Sequence, residues 1–191
     1  MNKKLLMVST VLVSLVSVSM NYAAGQTILK RLFLLQDSGH QQWCAYRTES
    51  DWAAEVKSLS SPVVGSLEYA DGRVSKISLT EEDDTGDWIV YDEYALNKNG
   101  GIEAARRTFN IIADDRSIEV TYAIKDGKAR EEAKTSRRLS TKEILPSQKD
   151  WLPGVPVVTR VQDFPFFPIL ADKHPEAWLN GRTCSSNKPL Q

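Results

Sequence analysis

The stretch "WIVYDEYALNKNGG", Trp88 to Gly101, sets two adjacent carboxylates, Asp92 and Glu93, between Tyr91 and Tyr94. Two carboxylates that converge on one substrate bond supply a general acid and a general base. The surrounding residues alternate, however, and neighbouring side chains of a β-strand point to opposite faces. Asp92 then shares a face with Trp88, Val90, Tyr94 and Leu96, and Glu93 shares the other with Ile89, Tyr91 and Ala95. From this strand alone the two cannot flank one bond. The expectation is a central strand with apolar residues on both sides, its Asp92 tied to Arg106, Arg107 or Tyr122 across the ladder. An enzymatic reading needs a second carboxylate from another strand, for example Glu119 beside Asp92.

A second group is cationic. Arg106, Arg107, Lys125, Lys128, Arg130, Lys134, Arg137 and Arg138 gather on three consecutive strand-like runs. Guanidinium forks suit phosphate or an anionic head group. Charges of this kind also protect the open edge of a sheet from stray pairing. The candidate ligand-binding set is Arg106, Arg107, Arg130, Arg137 and Arg138, with Trp88 and Tyr94 as aromatic neighbours.

Other chemistry is thin. The acidic loop Glu81 to Asp87 offers oxygen ligands for calcium but lacks EF-hand spacing, so a solvated turn is the plainer reading and calcium stays an open question. His40 and His174 are the two histidines and show no metal-ligand spacing. The three methionines lie within the first 20 residues, leaving the rest of the chain without thioether ligands for copper. No GxSxG, GxGxxG or P-loop pattern occurs. The expectation is no metal and no cofactor.

The first 25 residues have a short positive start at Lys3 and Lys4, an apolar run from Leu5 to Met20, and small residues at Ala23-Ala24-Gly25. This is the pattern of a secretory signal peptide. The run is short and serine-diluted for a membrane span. Cleavage near Gly25 leaves one soluble domain, Gln26 to Gln191, periplasmic or secreted, with no membrane anchor. It carries 22 basic and 25 acidic residues, a formal charge of −3. Such a balance gives no reason to expect nucleic acid as partner. Two cysteines, Cys44 and Cys184, in an oxidising compartment read as one disulfide joining the ends of that domain.

These residues need elements to hold them. Residues 26–62 read as a hairpin (Ile28 to Leu35, then "HQQWCAYR") and a helix in "SDWAAEVKSLSS". Ser50 or Asp51 caps that helix, and Trp52, Val56 and Leu59 share one face. Residues 63–139 read as six strands joined by short turns, with Asp71-Gly72 the strongest hairpin signal. Seven of the eight prolines lie from Pro146 onward among aromatics. This excludes a central strand and predicts an extended segment, 146–191, wrapping the sheet, with "HPEAWLNG" as a short helical turn.

The fold class is thus mainly β (α+β): a curved, half-barrel-like antiparallel β-meander with one or two short helices and an extended Pro/aromatic C-terminal segment. The function expected is that of an exported soluble protein of the bacterial envelope, non-enzymatic, binding a small ligand or an envelope protein on its sheet. Two alternatives stay open: a carboxylate-dependent envelope hydrolase, and a structural or assembly module that pairs through a sheet edge.

Overall fold

A computed structural model of the chain describes residues 30–37, 42–59, 62–146, 156–171 and 183–185. In chain order, β1 (Lys30–Asp37) and β2 (Gln42–Tyr46) form the first hairpin, followed by α1 (Glu49–Val56). Then come β3 (Val64–Ala70), β4 (Arg73–Glu82), β5 (Trp88–Leu96), β6 (Ile102–Ile111), β7 (Arg116–Lys125) and β8 (Lys128–Arg138). The short pieces β9 (Ile144–Leu145), a 3-10 turn (Val161–Asp163), α2 (Phe167–Leu170) and β10 (Thr183–Ser185) are the remaining elements among the described residues.

All ten strands join one antiparallel sheet in the order β10-β2-β1-β3-β4-β5-β6-β7-β8-β9. From β3 to β9 each strand pairs with its neighbour in sequence, which is the expected meander. The first hairpin attaches by its first strand, so β1 is internal and β2 lies outside it. Among the described residues the sheet is open: β10 and β9 are its two edges.

The turns are where the sequence puts Asp or Asn beside Gly. Asp71 (φ 52°) and Gly72 (φ 72°) link β3 to β4, and Asp126 (φ 52°) and Gly127 (φ 68°) link β7 to β8. Two successive left-handed residues make the hairpin turn whose twist matches the strands. Between β5 and β6, Asn97 Oδ1 accepts from the backbone N–H of Asn99 (2.9 Å) and of Gly101 (3.1 Å), closing a longer turn.

The two faces are covered differently. One carries α1, whose Trp52 and Val56, with Leu59 just beyond, pack on Leu35, Cys44 and Tyr46 as the i, i+4, i+7 spacing implies. The cap differs from expectation. Thr48, not Ser50 or Asp51, is the N-cap and accepts from Asp51 N at 3.2 Å. The other face carries residues 156–171, here called the strap. Its Val157, Phe164, Phe166 and Ile169 join Leu34, Trp43, Leu67, Ile77 and Tyr94 in the main core. Phe166 meets Trp43 at 4.9 Å between ring centres, and Phe164 meets Tyr94 edge-on at 5.0 Å. Residues 156–171 thus lie on the sheet through Val157, Phe164, Phe166 and Ile169. The strap is less extended than expected, however: Pro168 sits in the first turn of α2, where a missing N–H costs nothing. The helical turn expected at "HPEAWLNG" lies outside the described residues, as do the signal-peptide segment, His40 and His174.

Cys44 and Cys184 are bonded across a separation of 140 residues. They are directly opposed in the β2–β10 ladder, so the bond fastens the C-terminal edge strand to the N-terminal hairpin.

Candidate functional site

The centre of the strap face is built by β5 and β6. Their register opposes Asp92 and Arg107. Arg107 Nε donates to Asp92 Oδ1 and Nη2 donates to Oδ2, both at 2.6 Å. This is the two-pronged arrangement that guanidinium and carboxylate geometry favour. The side chains are only 8% and 13% exposed. They sit between a row holding Ile77, Tyr94, Ala105 and Tyr122 and a row holding Val90, Phe109 and Ile118.

Tyr94 extends the pair toward the strap. Two residues from Asp92 in a strand, it lies on the same face. Its hydroxyl donates to Asp92 Oδ2 and accepts from Val158 N, each at 3.4 Å. Burial and then the Asp92 charge push the Tyr94 phenol up to about 12. Burial pushes the Arg107 guanidinium down, but the bonds from Asp92 outweigh it and leave it above its ordinary value. The Arg107–Asp92–Tyr94–Val158 series thus ties two strands to the strap, in surroundings where each charge is matched.

The opposite face holds Glu93. Arg106 Nε donates to Glu93 Oε2 at 2.7 Å, and Lys76 pairs with Oε1. Desolvation pushes the Glu93 carboxyl up, but the bonds from Lys76 and Arg106 outweigh it and hold the group below the usual range. Asp92 and Glu93 therefore diverge as the period-two pattern requires. The same register separates Asp92 from Glu119. Val120 lies opposite Arg107 on the Asp92 face, while Glu119 lies opposite Thr108 and acts on Arg106 on the Glu93 face. The Asp92–Glu119 pair is therefore split by the sheet.

Comparison with family models, with curated proteins and with solved structures finds no match to this chain. What the site can do rests on its own geometry.

The seven candidate binding residues do not form one cluster. Arg107 and Tyr94 are together and buried; Trp88 is on their face and packs on Phe109 at 5.8 Å. Arg106 is on the other side of the sheet with Glu93. Arg130 pairs with Glu132 and Arg138 with Glu143, both near the β8 edge. Arg137 is exposed, opposite Ser117 and Ile144. The strap partners of Tyr94, Val158 and Phe164, carry no signal of their own in the sequence. Only the density of aromatics among the prolines pointed to that segment.

The acidic loop is organised by one member. Asp83 Oδ1 accepts from Trp88 N at 3.0 Å, and the Thr85 hydroxyl donates to Oδ2. The Thr85 bond, then the Trp88 N–H, hold the Asp83 carboxyl below its usual range. That residue starts β5 in place. Among the described residues no helix is long and apolar enough to cross a membrane.

Proposed function

We propose that this chain is an exported, non-enzymatic binding protein of the bacterial envelope whose sheet is a rigid support for a ligand or a partner. The observation that carries the reading is the Asp92–Arg107 pair. Both oxygens of this carboxylate are engaged by the Arg107 guanidinium, and one also by the Tyr94 hydroxyl, which supports a structural anchor over a catalytic group. Glu93 is held in the same manner on the other face. Export is supported by the signal-peptide pattern of residues 1–25 and by the Cys44–Cys184 bond, which persists in oxidising compartments.

Edge pairing has less support. β9 covers β8 only at Ser136 and Arg137. The rest of that edge carries Lys128, Arg130, Glu131, Glu132 and Lys134, charges that deter an added strand.

The test is to recover the protein from the periplasm of an expressing host and examine it by native mass spectrometry, alongside a panel of envelope ester, amide and glycoside substrates. The expected outcome is retained ligand mass and no turnover. Turnover that Asp92→Asn abolishes while the protein stays folded overturns the reading.

A further inference from the structure

Three hairpin turns gather at one end of the sheet, and the strap crosses beside them. Between the Asp71-Gly72 turn, the Asn97–Gly101 turn and the strap lies a cleft of ≈ 420 Å³. Its apolar lining is Tyr69, Val74, Leu96, Val161 and Leu170. Its charged lining is Arg73 and Lys98, and among the described residues no carboxylate lines it. Arg73 Nη1 donates to Lys98 O at 2.7 Å, which fixes the guanidinium between the two turns. That bond uses one of the five donors a guanidinium carries.

Two other clefts are different. On the far side of the Asn97–Gly101 turn a cleft of ≈ 490 Å³ has Lys125 beside Asp126, and its Arg160 is bonded to Asp163. At the foot of α1 a cleft of ≈ 530 Å³ is lined by Glu82, Asp83 and Asp84. Of the three, the first alone joins a mostly aliphatic wall to two cations with, among the described residues, no lining acid.

We propose that this cleft binds an amphipathic anion: a free medium-chain carboxylate, its acyl chain against Val74, Leu96 and Leu170 and its head group at Arg73 and Lys98. The size is within the roughly 300–1,000 Å³ of small-molecule sites, and an apolar wall with a few convergent polar groups is their usual make-up. The complementarity is specific in sign, because a cationic amphiphile with the same tail would bring its charge against Arg73 and Lys98. The proposal rests on the binding-protein reading and names the ligand class and the place.

The experiment is a titration of the isotope-labelled, disulfide-intact protein followed by amide chemical shifts. The probes are decanoate, decyltrimethylammonium and acetate. Decanoate is expected to give saturable shifts at Arg73, Lys98, Asn99 and Leu170 with a dissociation constant below about 1 mM. The cationic amphiphile and acetate are expected to bind about tenfold more weakly or not at all. Arg73→Gln with Lys98→Gln is expected to weaken decanoate about tenfold. Lys98→Gln alone keeps the Arg73 bond to the Lys98 carbonyl and guards against a folding artefact; about threefold is expected. Shifts that map elsewhere, equal affinity for the cationic amphiphile, unchanged affinity in the variants or no saturation overturns the cleft. None of these touches the binding-protein reading, which falls instead to turnover lost in Asp92→Asn.

Discussion

Asp92 and Arg107 face each other across β5 and β6 and share two hydrogen bonds of 2.6 Å, with apolar rows on either side. Removing one partner strands the other. Asp92→Asn is expected to cost about 3 kcal/mol, most of it from the uncompensated Arg107 charge. Replacing both, Asp92→Leu with Arg107→Met, is expected to recover most of that loss, because two matched apolar groups carry no desolvation penalty. Urea unfolding of Asp92→Asn, and of the double-mutant cycle made by wild type, Asp92→Leu, Arg107→Met and their combination, checks both statements. Equal stability of Asp92→Asn and wild type would contradict the anchor role.

Tyr94 gives an alkaline signature. Its phenol ionises near 12 in the folded chain, against about 10 unfolded. The folded state therefore holds this proton more tightly. Its contribution to stability is intact below about pH 10 and is lost as pH rises toward 12, on the order of 3 kcal/mol in all. Absorbance titration at the phenolate band should show a late tyrosine that Tyr94→Phe removes. If wild type and Tyr94→Phe lose stability in parallel between pH 10 and 12, this assignment is wrong.

The two cysteines differ in access. Cys44 is buried under α1 and Cys184 is exposed. In Cys44→Ser the remaining thiol should react quickly with an aromatic disulfide reagent; in Cys184→Ser it should react slowly in the folded protein and quickly in urea. Each variant is expected to lose roughly 4–5 kcal/mol by the chain-entropy argument for a loop of this length. Two reactive thiols in the unreduced, unfolded wild type would rule the bond out.

Gly65 lies in β3 between Leu34 of β1 and Leu79 of β4. A Cβ there would stand 2.6 Å from the Ser78 carbonyl oxygen and 2.7 Å from Leu79 Cδ2. The backbone oxygen cannot move without shifting the ladder. Gly65→Ala is expected to cost about 2–3 kcal/mol by thermal unfolding, more than Ala in place of Gly costs in an ordinary strand.

Much of the sheet was legible because its signals are local. Asp71-Gly72 and Asp126-Gly127 adopt left-handed turns that those residue pairs accept readily, and the alternation through Trp88–Leu96 places Asp92 and Glu93 on separate faces. Arg107 was among three cross-strand partners anticipated for Asp92; register chose it, and register is set by turn geometry and a bulge at Ala95/Leu96. What was not legible depends on residues far apart in the chain. Nothing near Lys30 says that β1 lies inside β2, nothing near Val158 says that it meets Tyr94, and the Arg73 cleft exists only because the strap passes beside two turns. The α1 cap was missed for a smaller reason. Thr48, Ser50 and Asp51 are all capping residues within four positions, and composition alone does not choose among them.

The sheet order has a kinetic consequence. From β3 to β8 each strand docks on the one just made, so these pairings close short loops and are expected to form early. The β2–β10 ladder must bring together residues 140 apart and is expected to dock late. A cross-link between two segments that are still apart at the rate-limiting step raises the unfolded chain and that barrier together. Stopped-flow measurements should then find oxidised and reduced protein refolding at nearly the same rate while the reduced form unfolds much faster. The disulfide would thus set how long the protein lasts once folded, and the Asp-Gly hairpins how quickly it gets there.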